Sequence, residues 1–203
     1  MKKRVPSKAE TELLEPFVGL PLERIHVPAN RQQFIAATTE ILAQVVVGFD
    51  TESKPTFRVG EISDGPHIVQ FALPTQAFIF QLHQADCREF LVRILLATSL
   101  TKVGFGLKSD HGQIHAKLGV ALNAVLDLND VFRRDGYSGD MGARAAVGVA
   151  LNRRFNKNKS ITTTNWALPE LTSKQLLYAA NDAYAALKVF EALDRSVESL
   201  SIA

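Results

Sequence analysis

The sequence predicts an α/β fold in which a mixed β-sheet is flanked by helices. In the first half of the chain, apolar runs follow one another with only turn-like segments between them, which is typical of an antiparallel meander. In the second half, apolar runs alternate with segments of helical period, which is typical of parallel crossover units. A sheet that combines both connections has parallel and antiparallel strands.

Each element is predicted from its local pattern of apolar and turn-forming residues. The expected strands are 44–50, either 57–62 or 66–73, 77–82, 101–105 and 124–128. The expected helices are 87–97, 109–118, 140–151 and 172–194. The first dozen or so residues are polar and show no period, so we expect about 1–15 to be a loose arm.

The composition indicates a single globular domain, 1–203. The chain has 203 residues, 46% of them hydrophobic and 22% charged, which is enough to bury a sizeable core. One cysteine, Cys87, excludes an internal disulfide framework and a cysteine-rich zinc site, and it indicates a reducing, cytoplasmic location. No apolar run approaches the about 20 residues that cross a bilayer, so we expect neither a membrane partner nor secretion.

A cluster of basic residues is more informative than the net charge of +2. Arg153, Arg154, Lys157 and Lys159 fall within seven residues and have no acid between them. Such a cluster is typical of a solvated loop, and equally of a patch that faces phosphate groups. Both interpretations stay open at this point.

Asp50 and Glu52 close the valine-rich run that forms the first expected strand. Residues two apart on a strand point to the same face, so these carboxylates can converge on one site. Mg²⁺ prefers oxygen ligands and often takes one or two carboxylates together with substrate phosphate. Acids also end strands for solubility, so this pair by itself is weak evidence for a metal.

Asp110 follows the strand expected at 101–105 and opens the next helix, with Ser109 as the expected N-cap. In sheets of this kind, sites form near the carboxyl ends of parallel strands, which is where Asp50 is also expected. Gly104 and Gly106 would let a nucleotide approach the backbone closely. The alternative is that Asp110 only complements the helix macrodipole.

The last expected helix places Tyr178 and Asp182 on one face, four residues apart. Asp182 shares its stripe with Ala185 and Val189, and a second apolar stripe lies opposite. A helix that is apolar on two sides is buried, so we expect Asp182 to face an interior cleft. Tyr178 could position a water there, with metal ions offsetting the cost of burying carboxylates. The alternative is a tyrosine that only packs and makes a structural hydrogen bond.

The ordered set of Asp50 with Glu52, then Asp110, then Tyr178 with Asp182 resembles the DEDD superfamily of 3′–5′ exonucleases, in the branch with a tyrosine in its third motif. The segments that carry the resemblance are 48–52, 103–110, 159–166, 169–172 and 175–184. The last three are similar to the exonuclease domain of the Werner-syndrome helicase, and ribonuclease D shares a looser version of the last one. The resemblance covers roughly residues 20–195.

The resemblance implies a ribonuclease-H-like fold, a mixed five-stranded sheet with helices on both sides. It also implies two Mg²⁺ or Mn²⁺ ions and stepwise release of 5′-mononucleotides from a nucleic-acid 3′ end. By position, Asp50 would bridge both ions, and Glu52 and Asp182 would hold the ion that activates water. Asp110 would support the second ion, and Tyr178 would orient the attacking water.

The resemblance further implies contacts with the substrate. Thr51 lies where the family's backbone meets the terminal nucleotide, and the other expected substrate-binding residues are Phe105, Gly106, Arg153 and Arg154. We expect DNA 3′ ends to be favoured. The alternatives are RNA 3′-end trimming of the ribonuclease D type and a catalytically weak nucleic-acid-binding module. No residue of the sequence reports on the 2′-hydroxyl that distinguishes RNA from DNA.

Overall fold

The computed structural model describes residues 2–58 and 60–193. The strands are β1 Lys3–Arg4, β2 Ile25–His26, β3 Val46–Glu52, β4 Ile68–Ala72, β5 Ala77–Gln81, β6 Thr101–Gly104, β7 Val125–Asp127 and β8 Tyr137–Ser138. The helices are α1 Lys8–Glu12, α2 Arg31–Leu42, α3 Cys87–Leu96, α4 Lys108–Leu118, α5 Leu128–Arg134, α6 Gly142–Leu151, α7 Lys159–Thr162 and α8 Ser173–Ala192. The expected elements lie within about two residues of these bounds, except 57–62, whose described residues form no strand.

The mixed sheet is confirmed, in the order β2-β5-β4-β3-β6-β7. β3, β4 and β5 form an antiparallel meander, and β6 and β7 continue the sheet in parallel with β3. The expected number of five strands is wrong by one, because the two-residue β2 pairs in parallel with β5 and adds an edge. A strand of two residues has no period from which the sequence could reveal it.

Helices cover both faces of the sheet. One face packs against α2, α3 and α4 through a core dominated by aromatic rings, namely Phe34, Phe49, Phe71, Phe80 and Phe90. The other face packs against α8 through small side chains, among them Ala179, Ala180 and Ala183. Since α8 carries alanine where it meets the sheet, the helix lies close to the strands beneath it.

α8 approaches the sheet closely at Gly48 of β3. A Cβ atom at Gly48 would stand 1.9 Å from the carbonyl oxygen of Ala183, so a larger side chain would have to push the helix away. The helix begins with a capping box in which Thr172 and Gln175 satisfy each other's backbone N–H groups. The contact at Gly48 sets the distance of α8 from β3, and the capping box sets the residue at which α8 begins.

The N-terminal residues belong to the fold, and the expected loose arm is wrong for them. β1 pairs with β8, and α1 lies against α6. Thr11 is buried in α1, and its hydroxyl oxygen accepts a hydrogen bond of 2.8 Å from Arg144 Nη1. Polar contacts anchor this segment, which is why no apolar period marks it in the sequence.

Three further helices, α2, α5 and α7, are not among the expected elements. The buried positions of α2 are Phe34, Ala37, Thr38 and Ile41, a helical spacing that includes one threonine and one alanine. α5 is short and follows β7 without a loop. Within the described residues, none of the helices combines the length and apolar character that crossing a bilayer requires.

Candidate active site

Asp50, Glu52 and Asp182 form a compact cluster of carboxylates. Asp50 and Glu52 are near the end of β3. α8 packs against this strand, and its Asp182 lies close to both residues. One carboxylate oxygen from each residue lies within 4.8 Å of the corresponding oxygens of the other two. Two segments that are 130 residues apart in sequence therefore meet at one point, as their pattern predicts.

Asp110 adjoins this cluster and is tied to it through Thr51. Its Oδ1 accepts a hydrogen bond of 2.5 Å from Thr51 Oγ1, and its Oδ2 accepts one of 3.3 Å from Ser109. Asp110 is 8% exposed and lies in the first turn of α4, at the carboxyl end of β6. The four expected acids thus lie in one region, with three in direct proximity and the fourth beside them.

Asp127, at the end of β7, holds the loop that leads into α4. Its Oδ1 accepts a hydrogen bond of 3.0 Å from the Gly106 N–H, and its Oδ2 accepts one of 2.9 Å from the Leu107 N–H. The expected N-cap at Ser109 is wrong, because α4 begins at Lys108 with Leu107 at the N-cap position and no side-chain cap. Gly106 has φ +69°, a left-handed conformation that glycine adopts without strain.

Tyr178 lies one turn before Asp182 in α8, and it lines a cleft together with Asp50 and Glu52. Its hydroxyl is 2.9 Å from Thr162 Oγ1, and its ring lies 6.0 Å from the ring of the buried Trp166. Burial and then the charge of Asp182 raise the pKa of the Tyr178 phenol above its usual range. The phenol therefore keeps its proton at neutral pH and can orient a water as a hydrogen-bonding group.

Burial and mutual repulsion raise the pKa values of the carboxyl groups in the cluster. Burial, followed by repulsion from Asp182, raises the pKa of Asp50 from 3.8 to about 8. Burial, followed by repulsion from Asp50, raises the pKa of Glu52 from 4.5 to about 9. Burial also raises the pKa values of Asp110 and Asp182 above 3.8. A group of acids in this state readily exchanges its protons for a metal ion.

The residues present fit a divalent ion that prefers oxygen ligands. The cluster offers only carboxylate oxygens, which suits Mg²⁺ or Mn²⁺ better than zinc or copper. Directly opposite Asp50, on β4, the buried side chain of Gln70 has no hydrogen-bond partner for its amide oxygen or nitrogen among the described residues. Buried polar groups of this kind normally have a partner, so the surroundings of Asp50 are polar beyond the carboxylates themselves.

The cluster opens into a cleft of about 360 Å³. The residues lining it are Asp50, Thr51, Glu52, Ser53, Phe105, Gly106, Ser109, Asp110, Gln113, Lys157, Thr162 and Tyr178. The expected substrate-binding residues Thr51, Phe105 and Gly106 are among them. Gly104 does not line the cleft. A Cβ atom at Gly104 would stand 2.5 Å from the Phe49 carbonyl oxygen, so this glycine allows the neighbouring strands to pack closely.

Arg153 and Arg154 do not line this cleft, although Arg154 lines a neighbouring pocket with Tyr178 and Asp182, so their substrate-binding roles stay predictions. Arg154 Nη1 donates to the Glu12 carbonyl oxygen, and its backbone pairs with that of Pro16, so it faces the N-terminal segment. Arg153 is exposed and donates to the adjacent Asn152 carbonyl oxygen. The contacts of Arg154 anchor the loop after α6 to the N-terminal segment.

Lys157 is the member of the basic cluster that reaches the cleft. Its Nζ forms an ion pair of 2.8 Å with Asp182 Oδ2. The sequence includes Lys157 in the cluster but does not distinguish it from its neighbours, because the path of the loop decides which side chain turns inward. The side chain of Lys159 lies outside the described residues.

Comparisons with known proteins agree with this geometry. A family model described as 3′-5′ exonuclease matches residues 25–198. A bifunctional 3′-5′ exonuclease/ATP-dependent helicase from Mus musculus is 29% identical over 150 residues, which cover 73% of the chain and 11% of that protein. The chain thus spans about a tenth of the length of this relative.

Two solved structures share the fold. The EXO domain of Nibbler from Aedes aegypti has a TM-score of 0.74 and 21% identity, covering 91% of this chain and 93% of that one. Ribonuclease D from Trypanosoma brucei in complex with RNA U12 has a TM-score of 0.73 and 17% identity, covering 87% and 64%. At these identities the likeness establishes the ribonuclease-H-like fold.

Proposed function

The chain belongs to the 3′-5′ exonuclease family, and on that premise we propose that it removes 5′-mononucleotides stepwise from nucleic-acid 3′ ends by metal-dependent hydrolysis. The observation that carries the proposal is the meeting of Asp50, Glu52 and Asp182 oxygens within 4.8 Å, with Tyr178 at the same cleft. A carboxylate cluster beside a protonated phenol matches phosphodiester hydrolysis by water.

Asp50, Glu52 and Asp182 are the residues proposed to hold a divalent ion, and Asp110 to support a second one beside it. Mg²⁺ or Mn²⁺ would supply the acidification of water and the neutralisation of phosphate charge. Tyr178 would orient the attacking water, because its hydroxyl is held by Thr162 and keeps its proton. Thr51, which lines the cleft, would hold Asp110 in place through its hydroxyl and would contact the terminal nucleotide.

The substrate proposed is a DNA 3′ end, with RNA as the second candidate. Support for DNA is the sequence likeness of 29% to an exonuclease that is joined to a helicase. Support for RNA is the shared fold with a ribonuclease that was crystallised with RNA. Matched DNA and RNA oligonucleotides with a 3′ label, digested in parallel, separate the two candidates. Faster release of labelled mononucleotide from RNA would overturn the DNA preference.

The catalytic assignment is tested with Asp182→Asn. Asparagine keeps the shape of the side chain but loses the charge, so we expect cleavage to fall by about 100-fold or more while the fold is retained. Glu170→Gln removes one exposed carboxylate near α8 and serves as the matched control with unchanged activity. Activity that persists in Asp182→Asn, or in the wild type with excess chelator, would contradict the assignment. A wild type that binds oligonucleotides without cleaving them would indicate a binding module.

A further inference from the structure

Lys157 brings an ammonium group into a cleft that is otherwise acidic. Among the described residues that line this cleft, Lys157 is the only lysine or arginine, and it stands with Asp50, Glu52 and Asp110. The loop that carries it lies between α6 and α7 and is held from behind by the contacts of Arg154. The backbone of Lys157 is therefore held near the cleft, and its side chain extends into it.

The geometry of Lys157 is that of a movable counter-ion. Its Nζ lies 2.8 Å from Asp182 Oδ2 and 5.9 Å from the centroid of the Tyr178 ring. The side chain of Asp182 is 3% exposed, whereas that of Lys157 is 41% exposed. Lys157 thus reaches the buried carboxylate from the solvent side, and its four-carbon stem lets the ammonium withdraw without a change of the backbone.

The same carboxylate belongs to the cluster proposed to hold a divalent ion. An Asp182 oxygen cannot face an ammonium at 2.8 Å and also bind an ion among Asp50 and Glu52 without the two cations repelling each other. Occupation of Asp182 by Lys157 and binding of a metal ion therefore compete. Buried acids without any cation are costly, so Lys157 stabilises the metal-free cleft.

We propose that Lys157 is the internal counter-ion of this site: its ammonium pairs with Asp182 in the metal-free protein and moves to the substrate phosphate when the site is loaded. The inference rests on the proposed function, because it assumes a divalent ion in the same cluster. It assigns to Lys157 an effect on metal affinity that a residue of the loop surface would not have. The released ammonium lies next to Tyr178, where a phosphate of the bound 3′ end would take it up.

The experiment compares the wild type with Lys157→Gln, Lys157→Arg and Lys174→Gln. Gln removes the charge at similar length, Arg keeps the charge, and Lys174→Gln removes an exposed charge from the first turn of α8 as a matched control. The measurements are the unfolding midpoint in chelator, the Kd for Mn²⁺ by titration calorimetry at constant ionic strength, and KM and kcat at saturating Mn²⁺.

For Lys157→Gln, we expect the metal-free midpoint to fall by about 2–4 °C and Mn²⁺ to bind about tenfold tighter, since the competing paired state is gone. KM for the oligonucleotide should rise more than kcat falls. Lys157→Arg and Lys174→Gln should stay near the wild type in Mn²⁺ affinity. Equal or weaker Mn²⁺ binding by Lys157→Gln would overturn the proposal while leaving the proposed function intact. A wild type that does not bind Mn²⁺ would instead overturn both.

Discussion

Thr51 Oγ1 donates a hydrogen bond of 2.5 Å to Asp110 Oδ1, and this contact joins the end of β3 to the first turn of α4. Asp50 and Glu52 point to the face of the sheet that α8 covers, so Thr51 between them points to the face that α4 covers. Because side chains alternate along the strand, Asp50 and Glu52 join the cluster with Asp182, whereas Thr51 between them contacts Asp110. Substitution of Thr51 should therefore alter the hydrogen bonding of Asp110.

Replacing Thr51 with valine should lower the free energy of unfolding by about 1–2 kcal/mol. Valine has nearly the same shape but no hydroxyl, so the buried Asp110 carboxyl loses a partner. Urea unfolding followed by circular dichroism measures the change. Thr51→Ser keeps the hydroxyl and should retain most of the stability, whereas equal losses in both variants would show that the hydrogen bond is not the cause.

Gly48→Ala should destabilise the protein by more than about 2 kcal/mol. The added Cβ would stand 1.9 Å from the Ala183 carbonyl oxygen, so α8 would have to move away from β3. Gly112→Ala is the matched control, because no heavy atom lies within 4 Å of the added Cβ in the middle of α4. That variant should gain about 0.5–1 kcal/mol. Denaturant unfolding of both variants gives the comparison, and a harmless Gly48→Ala would refute the tight packing.

The stability of the metal-free protein should fall as the pH rises from about 5 to about 8.5. The pKa values of Asp50 and Glu52 are raised to about 8 and about 9 in the folded state, from 3.8 and 4.5. The folded state therefore binds more protons than the unfolded state between these values, and its advantage is lost as the pH rises through the folded pKa values. Melting temperatures in chelator across this range test the sign.

Two comparisons accompany the pH series. Saturating Mg²⁺ should flatten the decline, because bound ions compensate the carboxylates and stabilise the folded state. Asp50→Asn should give a shallower decline in chelator, because the asparagine does not titrate. A metal-free melting temperature that rises over the same pH range would contradict the raised pKa values.

Lys102→Met should cost about 2–3 kcal/mol of stability. The Lys102 side chain is fully buried in β6, and its Nζ donates to the carbonyl oxygens of Ala97 at 2.7 Å and Asn123 at 2.9 Å. Methionine fills the space but leaves these carbonyl groups without a donor. Thermal unfolding measures the loss, and Lys108→Met, at an exposed position, should show none.

Most of the candidate site could be predicted from the sequence because strand and helix periods decide where side chains point. The spacing of Asp50 and Glu52 put both on one face, and the two apolar stripes of α8 predicted the burial of Asp182, which is 4% exposed. The order of the elements predicted the mixed sheet. These features depend on local pattern, and local pattern is what a sequence displays.

The parts that escaped prediction depend on long-range placement. Lys157 and Arg154 are three residues apart and look alike in the sequence, yet one faces Asp182 and the other the N-terminal segment. Asp127 holds the loop before α4 because β7 lies beside β6. Such contacts depend on the path of the loops over the sheet, and the residue types near these positions do not encode that path.

The central claim is that Asp50, Glu52 and Asp182 form a binding site for a divalent ion. Anomalous diffraction from a crystal soaked in Mn²⁺ tests it most directly. We predict a strong anomalous peak among the carboxylate oxygens of these three residues, and no such peak in Asp182→Asn under the same soak. Wild-type crystals with no peak at this position would contradict the claim.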